Sequence, residues 1–190
     1  MKKQNIKPQV FTNINFEETS LEETEYENCI FSVCNFSNVN LSNIHFYDCE
    51  FKGCNFSLTN LTKTTLANIK FTDCKILGIH FDHCKELLFE VDFEGCTLNL
   101  SSFYKMKIKN TKFKNSALQE VDFAECDLSN SLFDNCDLSG AIFENTILEK
   151  ADFLTAYNYN IDPDKNRIKK AKFSVAGIAG LLNKYDIEIE

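Results

Sequence analysis

An apolar residue recurs at every fifth position from Phe11 to Phe81, through Phe16, Leu21, Tyr26, Phe31 and onward without a miss. From Phe81 a step of five lands on Glu86 and a step of seven on Leu88. The five-residue beat then resumes at Phe93 and holds to Phe153. All 29 centres are apolar, and they take 16 of the 18 Phe, which explains that compositional bias. Neither a helix, with its period of 3.6, nor a strand, with its period of 2, returns a side chain to one face at this interval. A repeat of this kind buries its apolar face only by stacking unit on unit.

Two residues before each centre the side chain is mostly small, as at Thr24, Cys29, Cys34, Val39, Cys54, Val121, Cys126, Ser131 and Ala141, with Gln9 and Met106 as departures. Each unit therefore has one large and one small inward position and three outward ones. Every fourth centre is alike. Phe11, Phe31, Phe51 and Phe71 continue, once two inserted residues are allowed for, as Phe93, Phe113, Phe133 and Phe153, and Phe173 is in phase to extend the file. Four units per coil make a square-sectioned β-helix, an all-β solenoid of about seven coils and about 35 Å at the ~4.8 Å spacing of stacked strands. The unbroken Phe file predicts that the insertion near residues 85–87 bulges outward without consuming a face.

Net charge is −8, which disfavours a nucleic-acid binder, because phosphate neutralisation needs Lys and Arg. The start, MKKQNIKPQVF, lacks the apolar run of a signal peptide, and no stretch has the roughly 18 apolar residues of a membrane span. The expectation is a cytoplasmic protein whose nine Cys are thiols filling the small core positions. His80, His83 and Cys84 cluster beside the insertion, but the register turns both His outward and no paired CxxC exists, so no metal site is expected. No phosphate loop, nucleophile elbow or HExxH occurs, and a core packed with Phe and Leu leaves no substrate pocket. No cofactor and no catalysis are expected.

Charge is uneven along the chain. Residues 9–104 carry −9, the run KMKIKNTKFK (Lys105–Lys114) carries +5, residues 115–155 carry −8, and residues 156–190 carry +1. After Phe153 the beat falters, with Pro163 at a centre position, and Ile168 and Phe173 return to phase. Ser174 is a plausible N-cap for a short helix in which Val175, Ile178, Leu181, Leu182 and Tyr185 fall near helical spacing, and DIEIE alternates as a short strand. Gly177 and Gly180 would permit close approach of another backbone. The segment either caps its own shaft or joins two shafts.

The triplets ADF (Ala151–Phe153), CDL (Cys126–Leu128), VDF (Val121–Phe123) and CNF (Cys34–Phe36) resemble the A-(D/N)-L-x-x unit of the pentapeptide-repeat family, over about residues 9–155. The resemblance implies a right-handed quadrilateral β-helix with a short C-terminal helix. It divides the chain into residues 1–8 as an N-terminal cap or flexible segment, 9–155 as the shaft, and 156–190 as an irregular last coil with capping or dimerising helix. For the quinolone-resistance (Qnr-like) members it implies a homodimer joined through C-terminal residues, here Val175, Ile178, Leu181, Leu182, Tyr185 and Ile187. It also implies an anionic rod that imitates DNA toward DNA gyrase or topoisomerase IV. The acids it points to are Glu120, Asp122, Glu125, Asp127, Asp134, Asp137 and Glu144. Two alternatives stand beside it. An Asp or Asn one residue before a centre can simply bond its turn backbone, and the shaft can be an interaction scaffold for an unrelated partner. The Lys105–Lys114 run, and an interruption only two residues long, favour that second reading.

Overall fold

The computed structural model describes residues 8–188 apart from Glu23; the N-terminal cap expected over residues 1–8 therefore lies, but for Pro8, outside the described residues. The chain winds into a four-sided parallel β-helix, the right-handed quadrilateral architecture expected. One face is a nine-stranded parallel sheet of β1 (Val10–Thr12), β3 (Ile30–Ser32), β5 (Glu50–Lys52), β7 (Ile69–Thr72), β8 (Val91–Glu94), β9 (Lys112–Lys114), β10 (Leu132–Asp134), β11 (Asp152–Phe153) and β12 (Lys172–Phe173). We call it face A. Its nine strands mark eight coils, one more than the beat from Phe11 to Phe153 contains, because Phe173 pairs with Phe153. Faces B and C are ladders of single parallel bridges, such as Asn15 to Asn35 to Asn55 on B and Ser102 to Asp122 to Ile142 on C. Face D carries a three-stranded sheet of β2 (Glu25–Glu27), β4 (His45–Tyr47) and β6 (Thr65–Ala67), and higher up the bridges Lys107 to Asp127 to Ile147.

The core is built from files of like residues. Along face A the Phe rings from Phe11 to Phe173 stack at 4.6–5.4 Å between centroids and 6–14° between planes. Rings of neighbouring files meet edge to face, as Phe113 does with Phe123 at 5.8 Å and 77°. Both arrangements suit the aromatic quadrupole. Each buried Phe contributes roughly 1.5–3 kcal/mol of transfer free energy. The small inward positions hold Cys, Ser and Thr for a shared reason. Many turn their hydrogen toward the carbonyl of a centre one coil below, as Cys74 Sγ to Phe51 at 3.3 Å, Thr59 Oγ1 to Phe36 at 2.7 Å and Thr146 Oγ1 to Phe123 at 2.9 Å, while Cys96 and Ser116 turn to the carbonyl two residues earlier. A thiol is a weak donor of about the right size, so it substitutes for a hydroxyl here.

Corners fall two residues after each centre. There the backbone is left-handed, at φ of 49–69° over residues 28–150, in Asn, Asp, Gly and even Val33, Leu58 and Leu100. Asn and Gly tolerate this region best, which accounts for the many corner Asn. The corners at His83 and Glu90 are the exceptions: Phe81–His83 forms a 3₁₀ turn, and Leu88 is left-handed in place of Glu90. The insertion follows at once. Phe71 still pairs with Phe93, 22 residues on, so face A is unbroken as expected. The assignment of Leu88 as a centre is corrected. Leu87 and Leu88 are 79% and 62% exposed, and Phe89 turns inward to meet Phe81 edge to face at 6.1 Å. Among the described residues no strand pairing or bridge joins this stretch to the next coil on face D.

The last coil is irregular, as the beat implied, and is plugged by buried Tyr159 and Ile161 where the beat positions 158 and 163 hold no apolar centre, while Ile168 and Phe173 pack against the core in phase. The helix expected after Ser174 takes the form of two short 3₁₀ turns, Ile178–Leu181 and Asn183–Tyr185. Ser174 does accept from the backbone N–H of Gly177 through Oγ at 3.0 Å. Gly177 and Gly180 lie flat on Tyr159, where a Cβ would stand 2.1 Å from its Oη and 2.4 Å from its carbonyl oxygen, respectively. A full α-helix is sacrificed to that close fit, since glycine is a poor helix former. Asp186–Glu188 form no strand, Asp186 being left-handed at φ 49°.

Candidate partner-binding surface

The seven acids divide by what holds them. Asp122, Asp127 and Asp137 stand one residue before their centres and bond the turn that follows. Asp122 Oδ1 accepts from the N–H of Ala124 at 2.8 Å; Asp127 Oδ1 accepts from Ser129 N–H at 3.1 Å and from its hydroxyl at 2.6 Å. Asp137 accepts most: from Ser139 N–H and Oγ at 3.1 and 2.7 Å, Asn158 at 2.9 Å and Gln119 at 2.7 Å. Partial burial pushes the Asp137 carboxyl up, but these bonds outweigh it and hold the group at about 2. Asp134 accepts from Thr155 Oγ1 at 2.8 Å. Glu120, Glu125 and Glu144 are exposed.

Ion pairing divides them again. Glu125, Asp127 and Glu144 pair with Lys105, Lys109 and Lys165 at 3.5, 3.0 and 3.1 Å. Glu120, Asp122, Asp134 and Asp137 make no ion pair among the described residues. They run from face A across B to C, with Asp134 in register beside Lys114. The lysine run is a girdle tied to the coils on either side. Besides Lys105 and Lys109, Lys107 reaches Glu86 at 3.4 Å and Lys112 reaches Asp92 at 3.3 Å. Sequence position showed the charges, but the vertical partner 18–21 residues away emerges only once the coils stack. Exposed pairs of this kind are worth about 0–1 kcal/mol each; their larger effect is to cancel field on the walls where they lie.

At the C-terminal end the six apolar residues separate. Leu181 packs against the core and Leu182 is half-buried, whereas Val175, Ile178, Tyr185 and Ile187 are 49–90% exposed. Lys184 bonds Asp162 at 2.7 Å and also Asp164, pinning the tail to the last coil. The segment thus has an inner face that caps its own shaft and an outer apolar face. At the other end a groove of about 230 Å³ opens on the rim lined by Phe11, Ile14, Phe16, Leu21 and Tyr26. No helix among the described residues is long and apolar enough to cross a membrane. The two histidines beside the insertion face outward and cluster as expected, their rings stacked at 4.8 Å.

A solid right-handed quadrilateral β-helix with polar walls defines a class of non-globular, surface-presenting proteins. A family model for the pentapeptide repeat region matches residues 24–86 and 87–157, and the chain belongs to the pentapeptide-repeat family. Among curated proteins none matches the sequence. Among solved structures, trypsin-treated QnrB1, described as a plasmid-mediated fluoroquinolone resistance protein, is similar at TM-score 0.58 and 14% identity, over 97% of this chain and 100% of that one. Full-length QnrB1 gives TM-score 0.50 and 16% identity over 95% and 98%. HetL, a pentapeptide repeat protein involved in heterocyst differentiation regulation from the cyanobacterium Nostoc sp. strain PCC 7120, gives TM-score 0.51 and 14% identity over 88% and 86%. At these identities the likeness carries the fold.

Proposed function

We propose that the chain is a Qnr-like, non-catalytic protein that binds DNA gyrase or topoisomerase IV as an anionic imitation of duplex DNA and so modulates quinolone susceptibility. The observation that carries this reading is the unpaired acidic surface of the distal shaft, Glu120, Asp122, Asp134 and Asp137, on a rod whose fold is that of QnrB1. A cationic DNA-binding groove is steered toward such a surface by complementary potential. Glu125, Asp127 and Glu144 flank it, already paired and so weaker contributors. The rod is proposed to act in the cytoplasm as a homodimer joined at its C-terminal ends through Val175, Ile178, Tyr185 and Ile187, with Leu181 and Leu182 supporting that face from beneath.

The test is a supercoiling assay with the gyrase of the source organism and a fluoroquinolone. Inhibition or protection in the micromolar range is expected, weakened at least about tenfold, or about 1.4 kcal/mol, by Glu120→Lys with Asp134→Lys. Neither effect at tens of micromolar removes gyrase as partner. The second reading, a scaffold for an unrelated protein, draws on the girdle from Lys105 to Lys112, which divides the anionic wall in two. In that case the charge-reversed variant and the parent behave alike toward both topoisomerases.

A further inference from the structure

From Asn28 to Lys150 the described corners of the coil are left-handed except at His83 and Glu90, which flank the insertion, and at the first of these the side chains converge. The 3₁₀ turn Phe81–His83 places residues three apart directly over each other. His80 and His83 accordingly stack, with rings 4.8 Å apart and 12° from parallel. The Asp82 carboxylate lies beside both, Oδ1 3.3 Å from His80 Nδ1 and Oδ2 3.7 Å from His83 Nε2. One donor atom from each of the three residues falls within 4.8 Å of the others. Phe81 fixes the turn from within: it is fully buried and stacks on Phe103 at 4.6 Å. The imidazoles remain 62% and 54% exposed, so a solute can reach them.

We propose that His80, Asp82 and His83 form a surface site for a divalent transition ion, zinc, nickel or copper, its remaining positions filled by water. Two imidazole nitrogens and one carboxylate are the donors such ions select, whereas calcium and magnesium prefer all-oxygen sets. An ion here would clamp the irregular corner immediately ahead of the insertion. Two cations share that corner: Lys63 one coil below and Lys105 one coil above. Lys105 is drawn aside to Glu125 and over the Tyr104 ring at 4.7 Å, and Lys63 opposes binding.

The experiment is calorimetric titration of the untagged, reduced full chain with zinc chloride and with nickel chloride, on the parent, His80→Ala with His83→Ala, and Cys84→Ser. Circular dichroism establishes that each variant is folded. One ion per chain is expected. The double variant should bind at least about tenfold more weakly, and Cys84→Ser should bind as the parent does. Equal affinity in the double variant, loss of binding in Cys84→Ser alone, or no heat at millimolar metal would each overturn the proposal.

Discussion

At the residue scale the structure rests on what each position in a five-residue unit must do. A centre must fill the core. Phe133 is fully buried, stacked on Phe113 at 5.0 Å and on Phe153 at 4.6 Å. Phe133→Ala should cost about 3–5 kcal/mol by chemical denaturation, because both neighbouring rings are held by their own strands and cannot close the hole. Asp137 makes a different kind of contribution. Its folded-state acidity is held at about 2, below that of an unfolded aspartate. The stability it adds is therefore complete above about pH 4 and is lost as pH falls through about 2. Denaturation midpoints of the parent and Asp137→Asn should differ most near pH 6 and converge toward pH 2; a constant gap would show that the charge plays no part. The centres were legible in the sequence because the whole core repeats them. The corners were less so. Asn, Gly, Lys and Leu share the left-handed position, and a rule obeyed by such unlike side chains leaves only a faint compositional trace.

At the scale of elements the two irregular segments teach the most. A step of seven between centres counts residues correctly, but it assigned Leu88 to a core slot that Phe89 occupies from a loop. Counting cannot tell which of two adjacent apolar residues a bulge turns inward. The tail is similar. Its helical spacing was legible, yet the segment is drawn into 3₁₀ turns by contact with Tyr159, a partner invisible in local periodicity. Gly180→Ala tests that contact. The added methyl would meet the Tyr159 carbonyl oxygen at 2.4 Å, where the backbone itself blocks relief, and the bond from Ile161 N–H to Gly180 O at 2.9 Å would be strained. A drop of several degrees in melting temperature, with faster hydrogen exchange at Ile161, is expected; an unchanged melt would show that the tail is not a tight cap.

For the whole molecule the question is how a rod meets its surroundings. The outer face of the tail predicts association: by sedimentation the solution mass should be twice that of one chain, and Ile178→Glu with Ile187→Glu should halve it while leaving the melt nearly unchanged. A monomeric parent would assign that face to something other than a second copy. The seven acids were legible as charge, but which of them keeps its field depended on lysines roughly a coil away. The loop after His83 has a mechanical consequence as well. Among the described residues, faces A and B keep their pairing through the fourth coil, whereas face C has no bridge from Asn60 to His80 and face D has none from this coil to the next. Pulled lengthwise, such a column has a built-in notch, and a crack starts where fewest bonds share the load. Single-molecule stretching should show two successive ruptures, dividing the chain near residues 86–87, instead of a single event or an even unzipping from one end.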